Sequence, residues 1–75
     1  MLLFPKRLNA IRKEKNIPAH RLADHLHISL RNYRRYESGD VQPPLENLIL
    51  IADYLDVSLD YLLGRDEYHK KHFKD

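Results

Sequence analysis

Apolar residues recur along this chain at three- and four-residue intervals, as in Leu22, Ala23 and Leu26 or Leu48, Ala52 and Leu55, the repeat that lines one face of an α-helix. No stretch alternates apolar and polar residues for long enough to make a strand, so the pattern predicts an all-α chain. Proline, serine and glycine then divide it into five helices. The first holds Pro5 in its opening turn, where the missing N–H costs nothing, and carries Phe4, Leu8 and Ile11 on one face as far as Asn16. Pro18 opens the second, whose stripe is Ala19, Leu22, Ala23 and Leu26. His27 and Ile28 form a turn, and Ser29, an N-capping residue type, starts a third helix that runs through Glu37 and stops at Ser38-Gly39-Asp40. Pro43-Pro44 leads into a fourth with Leu45, Leu48, Ile49, Ala52 and Leu55 as its core stripe, ended by Asp56 and Val57. Ser58 caps a fifth through Leu59, Leu62 and Leu63, and Gly64 stops it. One domain over residues 1–65 is expected, followed by a charged tail, 66–75, whose large apolar residues are Tyr68 and Phe73 and which frays or orders against a partner.

Composition narrows the function classes. With 75 residues, 43% of them hydrophobic and 32% charged, the chain has room for one small core and is too apolar for disorder. It has no Cys, which removes disulfides, thiolate metal sites and a thiol nucleophile. The longest apolar stretch, Leu48 to Ala52, is far short of a membrane span, and Met1 to Phe4 lacks the basic start of a targeting segment, so a cytoplasmic location is expected.

Charge changes the picture more. The net charge of +2 conceals two halves of opposite sign: residues 1–36 hold nine cations against two acids, a net +7, and residues 37–66 hold one cation against seven acids, a net −6. The first half suits a polyanion and the second is repelled by one.

The second and third helices with their short turn form a helix-turn-helix, in which the second helix of the pair is held up for insertion into the major groove of double-stranded DNA. At 100 degrees per residue, a third helix with Tyr33 inward, flanked by Tyr36 and Glu37, turns Arg31, Arg35 and Ser38 directly outward, with Leu30 and Arg34 bordering that face. Guanidiniums so placed can form forked contacts with guanine or phosphate. A basic, merely solvated face is the simpler alternative, and on this helix alone the two readings weigh equally.

The run from Leu8 to Gly64 resembles the lambda repressor and Cro family of helix-turn-helix domains. The matching residues are Arg12, Leu22-Ala23, Leu26, Ile28-Ser29, Tyr33, Arg35-Tyr36-Glu37-Ser38-Gly39, Pro43, Leu45-Glu46, Leu48, Ile51-Ala52-Asp53 and Val57-Ser58-Leu59-Asp60-Tyr61-Leu62-Leu63-Gly64. The resemblance implies a five-helix, DNA-binding transcription regulator, in all expectation a repressor. It implies base reading by Leu30, Arg31, Asn32 and Arg35, phosphate contacts from Lys6, Arg7, Arg21, Ser29, Arg34 and Ser38, and an ion pair between Arg12 and Glu37 that orients the third helix. Three positions depart from the family: Ala19 stands where Gln is usual, His27 where Gly is common, and Asp40-Val41-Gln42 where relatives often carry cations. The phosphate grip is therefore expected from helices one to three and from the N-terminal amides of helices two and four.

Other chemistries fare poorly. His20, His25 and His27 are spread around helix two, and His69 with His72 have no nearby Cys, so neither a metal nor a cofactor is expected. Ser29, Ser38 and Ser58 sit at helix ends with no His–acid arrangement beside them, which argues against an enzyme. Leu50 and Tyr54 lie off the main stripe of helix four. With Leu59 and Tyr61 they either broaden the core or form the two-fold interface of a homodimer on DNA, which the family places around the fifth helix. A different class of function is an antitoxin or protein-interaction module that uses the same fold to bind a partner protein through this patch, the acidic half or the tail.

Overall fold

The computed structural model describes residues 3–66, so the expectations for Tyr68, His69, His72 and Phe73 lie outside the described residues. Among the described residues five helices follow one another: α1 (Phe4–Glu14), α2 (Ala19–His25), α3 (Leu30–Ser38), α4 (Leu45–Leu55) and α5 (Leu59–Leu63). The all-α expectation is met, and the punctuation acts through the chemistry assigned to it. Ser29 Oγ accepts the Asn32 amide at 3.0 Å and Ser58 Oγ accepts the Tyr61 amide at 2.9 Å, each satisfying one of the unpaired N–H groups of a helix start. Pro18 and Pro44 stand just outside α2 and α4 in extended conformation, whereas Pro5 lies within the first turn of α1. Gly39 and Gly64 end α3 and α5 at φ of 84° and 79°, the left-handed region open to glycine at no steric cost. A Cβ on Gly64 would fall 2.8 Å from Leu3 Cδ1, so the Leu3 side chain would have to shift to admit one.

One buried cluster joins all five helices. Phe4 and Leu8 of α1, Leu22 and Ala23 of α2, Tyr33 and Tyr36 of α3, Leu48, Ile51, Ala52 and Leu55 of α4, and Leu62 of α5 belong to it, with Leu26 closing α2. The α4 stripe read from the sequence needs correction at two positions. Leu45 and Ile49 are 64% and 44% exposed, and Ile51 takes the place expected for them. Six of the first eight residues of α4 are apolar, so spacing alone leaves more than one stripe open, and it is Leu48, Ile51, Ala52 and Leu55 that are buried.

Candidate nucleic-acid interface

The helix-turn-helix is built by a tight turn. The Leu26 amide donates to the Leu22 carbonyl, the His27 amide to Asp24 and the Ile28 amide to Ala23, at 3.0, 3.1 and 3.0 Å. His27 holds the left-handed conformation at φ 57°, as the departure from glycine implies, and so turns the chain from α2 into Ser29. Ala23 is buried between α2 and the rest of the core, where a small residue allows α2 and α3 to pack closely.

The faces of α3 separate cleanly. Tyr33 and Tyr36 are buried with their rings 6.3 Å apart in an edge-to-face arrangement. Arg31, Asn32, Arg34, Arg35 and Ser38 are exposed, and Leu30 is half-buried beside them. Ser29 spends its oxygen as the helix cap, and Ser38 Oγ donates to the Arg35 carbonyl at 3.2 Å. Lys6 on α1 and Arg21 on α2 are also exposed.

A polar network fixes how α3 sits on α1. The Glu37 carboxylate accepts Arg12 Nε at 2.6 Å and the Tyr33 hydroxyl at 2.5 Å on one oxygen, and Asn9 Nδ2 at 2.7 Å and Arg12 Nη2 at 3.2 Å on the other. Arg12 Nη1 donates onward to the Ile17 carbonyl at 2.9 Å, tying in the turn before α2. Burial pushes the Glu37 carboxyl up, but the hydrogen bonds from Arg12, Tyr33 and Asn9 outweigh burial and hold it below the usual carboxylate range. The Tyr33 hydroxyl is pushed well up, first by burial and then by the carboxylate it donates to. Arg12 and Glu37 were legible from the sequence. Asn9 and the Tyr33 hydroxyl were missed, although Asn9 lies three residues before Arg12 and Tyr33 four before Glu37, spacings that share a helix face.

Arg7 differs from its expected place on phosphate. Its Nη1 donates to the Tyr61 carbonyl at 2.6 Å and to Asp66 Oδ1 at 2.7 Å, and its guanidinium lies 4.4 Å from the centre of the Tyr61 ring. This residue therefore clamps α5 to α1. The proposed dimer residues are also partly engaged within the chain. Tyr54 packs on His25 with ring centres 4.7 Å apart, Tyr54 and Leu59 lean against the core, and Tyr61 lies under Arg7. Leu50 is 38% exposed. Sequence spacing could not reveal these engagements, because their partners come from distant helices.

The model of the helix-turn-helix family matches residues 8–62 of this chain. The transcriptional repressor RstR of the cryptic phage CTXphi of Vibrio cholerae is 47% identical over 80% of this chain and 54% of its own length. The regulator AnsR of Bacillus subtilis is 44% identical over 81% of this chain and 53% of its own. A crystal structure of a transcriptional regulator from Listeria innocua superposes with a TM-score of 0.76 at 34% identity, covering 81% of this chain and 57% of that one. The chain thus spans about half the length of these relatives. The match takes in the cap at Ser29, the two faces of α3 and the Arg12–Glu37 network together, and the chain belongs to the lambda repressor-like helix-turn-helix family.

Proposed function

We propose that this chain is a sequence-specific DNA-binding transcriptional regulator that inserts α3 into the major groove of an operator and represses by occupying it. The observation that carries this reading is the division of α3, one face locked into the core by two tyrosine rings and the other presenting Arg31 and Arg35 to solvent. Arg31, Arg35, Asn32 and Leu30 read base edges, because they lie along the exposed face and its borders. Lys6, Arg21 and Arg34 contact phosphate, with Ser29 and Ser38 at the ends of α3 beside them. Arg7 is not part of this set, since its guanidinium is engaged by α5 and Asp66. The action is binding, not catalysis, and its place is the cytoplasm; among the described residues no helix is long and apolar enough to cross a membrane.

Two copies fill two half-sites, since one recognition helix reads only a few base pairs, and pairing through α5 sets the recognition helices about 34 Å apart. Leu50, Tyr54, Leu59 and Tyr61 line that contact. The repressor assignment takes support from the name of the phage repressor RstR. Selection of bound duplexes from a random pool, followed by titration of the preferred duplex at several salt concentrations, tests the reading. Enrichment of a two-fold symmetric sequence with a steep salt slope supports it, and a chain that binds a protein partner but enriches no sequence rejects it.

A further inference from the structure

Leu45 and Ile49 are the most exposed large apolar side chains among the described residues, and they lie one turn apart on α4. At 100 degrees per residue they fall beside the buried Ala52, on the other border of the exposed face from Leu50 and Tyr54. They therefore form a stripe separate from the pairing face proposed above. Acids surround it. Glu46 and Asp53 share the exposed face next to the stripe, and Asp56 closes the helix at its end. Among the described residues none of these three carboxylates is paired with a cation. An apolar stripe set among unpaired carboxylates is complementary to a segment that carries apolar groups with positive charge beside them.

The chain carries such a segment immediately after the described residues. Tyr68-His69-Lys70-Lys71-His72-Phe73-Lys74 has two aromatic rings, three lysines and no acid. Its starting point is fixed, because Asp66 Oδ1 accepts Arg7 Nη1 of α1 at 2.7 Å. That point is within reach of α4. Gly64 at the end of α5 abuts Leu3 and Gly39 at the end of α3 abuts Pro5, so both helices end against the start of α1, and Leu45 follows Gly39 by six residues. Residues 67–75 span up to about 30 Å when extended, enough to run from Asp66 onto the first turns of α4.

We propose that residues 67–75 fold back on α4 and cover the stripe, with Tyr68 and Phe73 against Leu45 and Ile49 and the lysines toward Glu46, Asp53 and Asp56. A segment tied to the domain meets its site at high effective concentration, so a contact too small to hold a free peptide suffices. Two copies meeting stripe to stripe would set the same acids against one another, which disfavours a second copy as the occupant. The cover takes the most exposed apolar side chains out of water and offsets part of the negative charge of residues 37–66. A protein partner that uses this face has first to displace the tail.

Nuclear magnetic resonance on the full chain tests this on the unaltered protein. Cross-peaks are expected between ring protons of Tyr68 or Phe73 and the methyl groups of Leu45 and Ile49. They should persist on dilution and should not connect different chains in a sample that mixes two isotope labels. In the triple variant Lys70→Glu, Lys71→Glu, Lys74→Glu, whose fold is checked by circular dichroism, the cross-peaks are expected to be lost. Rings that show no contact with Leu45 or Ile49 overturn the proposal. So do cross-peaks found only between chains, which make a second copy the occupant, and a contact that survives reversal of the three charges.

Discussion

Arg31, Arg34 and Arg35 are all exposed on α3; the helical repeat turns Arg31 and Arg35 opposite Tyr33, and Arg34 borders that face beside Leu30. That difference in position predicts different phenotypes. Arg31→Ala and Arg35→Ala are each expected to cost about 1–3 kcal/mol on the preferred site and to relax one base position, the signature of a lost forked contact with guanine. Arg34→Ala should weaken all sequences alike and lower the salt slope by about one. Titrations of the three variants on the preferred and a scrambled duplex separate these outcomes, and equal loss on both duplexes for all three would reassign the reading residues. His27 poses a backbone question in place of a contact. It is exposed and held at φ 57°, a conformation that favours glycine, so His27→Gly is expected to raise thermal stability by about 0.5–1 kcal/mol without changing sequence preference. A fall in Tm would show that the imidazole does more than follow the turn.

At the element scale, the polar link between α1 and α3 centres on one carboxylate. Arg12 and Glu37 have side chains 13% accessible, and Glu37 gathers donors from Asn9, Arg12 and Tyr33. Replacing the carboxylate with an amide leaves one acceptor oxygen, sets an NH2 against the donors of the other and leaves the Arg12 charge without its partner, so Glu37→Gln is expected to destabilise the domain by about 3 kcal/mol, a large share of the stability of so small a chain. The pH dependence has a definite sign. The carboxyl titrates lower when folded than its ordinary 4.5, so its contribution is complete above that value and is lost as pH falls through the folded value. Urea unfolding between about pH 6 and pH 3 should therefore show a steeper acid loss for the wild type than for Glu37→Gln. Parallel profiles would mean that the carboxylate is not held by the network. Elements whose boundaries depend on local chemistry were readable in advance. Ser29 and Ser58 cap the helices that begin just after them, and Gly39 and Gly64 stop the helices that end just before them, because each acts within a few residues of itself. The buried face of α4 was not readable with the same certainty. Leu45, Leu48, Ile49, Leu50 and Ile51 leave several stripes open, and only the positions of the other helices decide that Ile51 is covered and Leu45 is not.

At the scale of the whole molecule the charge reversal along the sequence becomes an arrangement of elements. The basic half forms α1, α2 and most of α3, and the acidic half forms the end of α3, α4 and α5. The proposed dimer uses the acidic half, which keeps the pairing face away from phosphate. Arg7 lies on the basic half, yet its partners are the Tyr61 carbonyl and Asp66, since the nearest carbonyl and carboxylate are set by packing and not by spacing. Because Tyr54 and Tyr61 are already engaged within the chain, the remaining contact is small. The free protein should be largely monomeric at low concentration and pair when adjacent half-sites hold both copies. Gel shifts on one and two half-sites should then show joint filling, which Leu50→Asp abolishes without removing weak half-site binding. One protomer bound at full affinity to a single half-site would leave Leu50 without this role.

The central claim, that α3 reads DNA sequence, is tested most directly by the Kd of the full chain for its selected duplex and for a scrambled duplex of equal length, measured between about 50 and 200 mM salt. The expected result is a selected site bound roughly a thousandfold more tightly than the scrambled one, both affinities falling steeply with salt, and the preference largely erased in the double variant Arg31→Ala, Arg35→Ala. Equal affinity for the two duplexes, or a preference that survives the loss of both arginines, would contradict it.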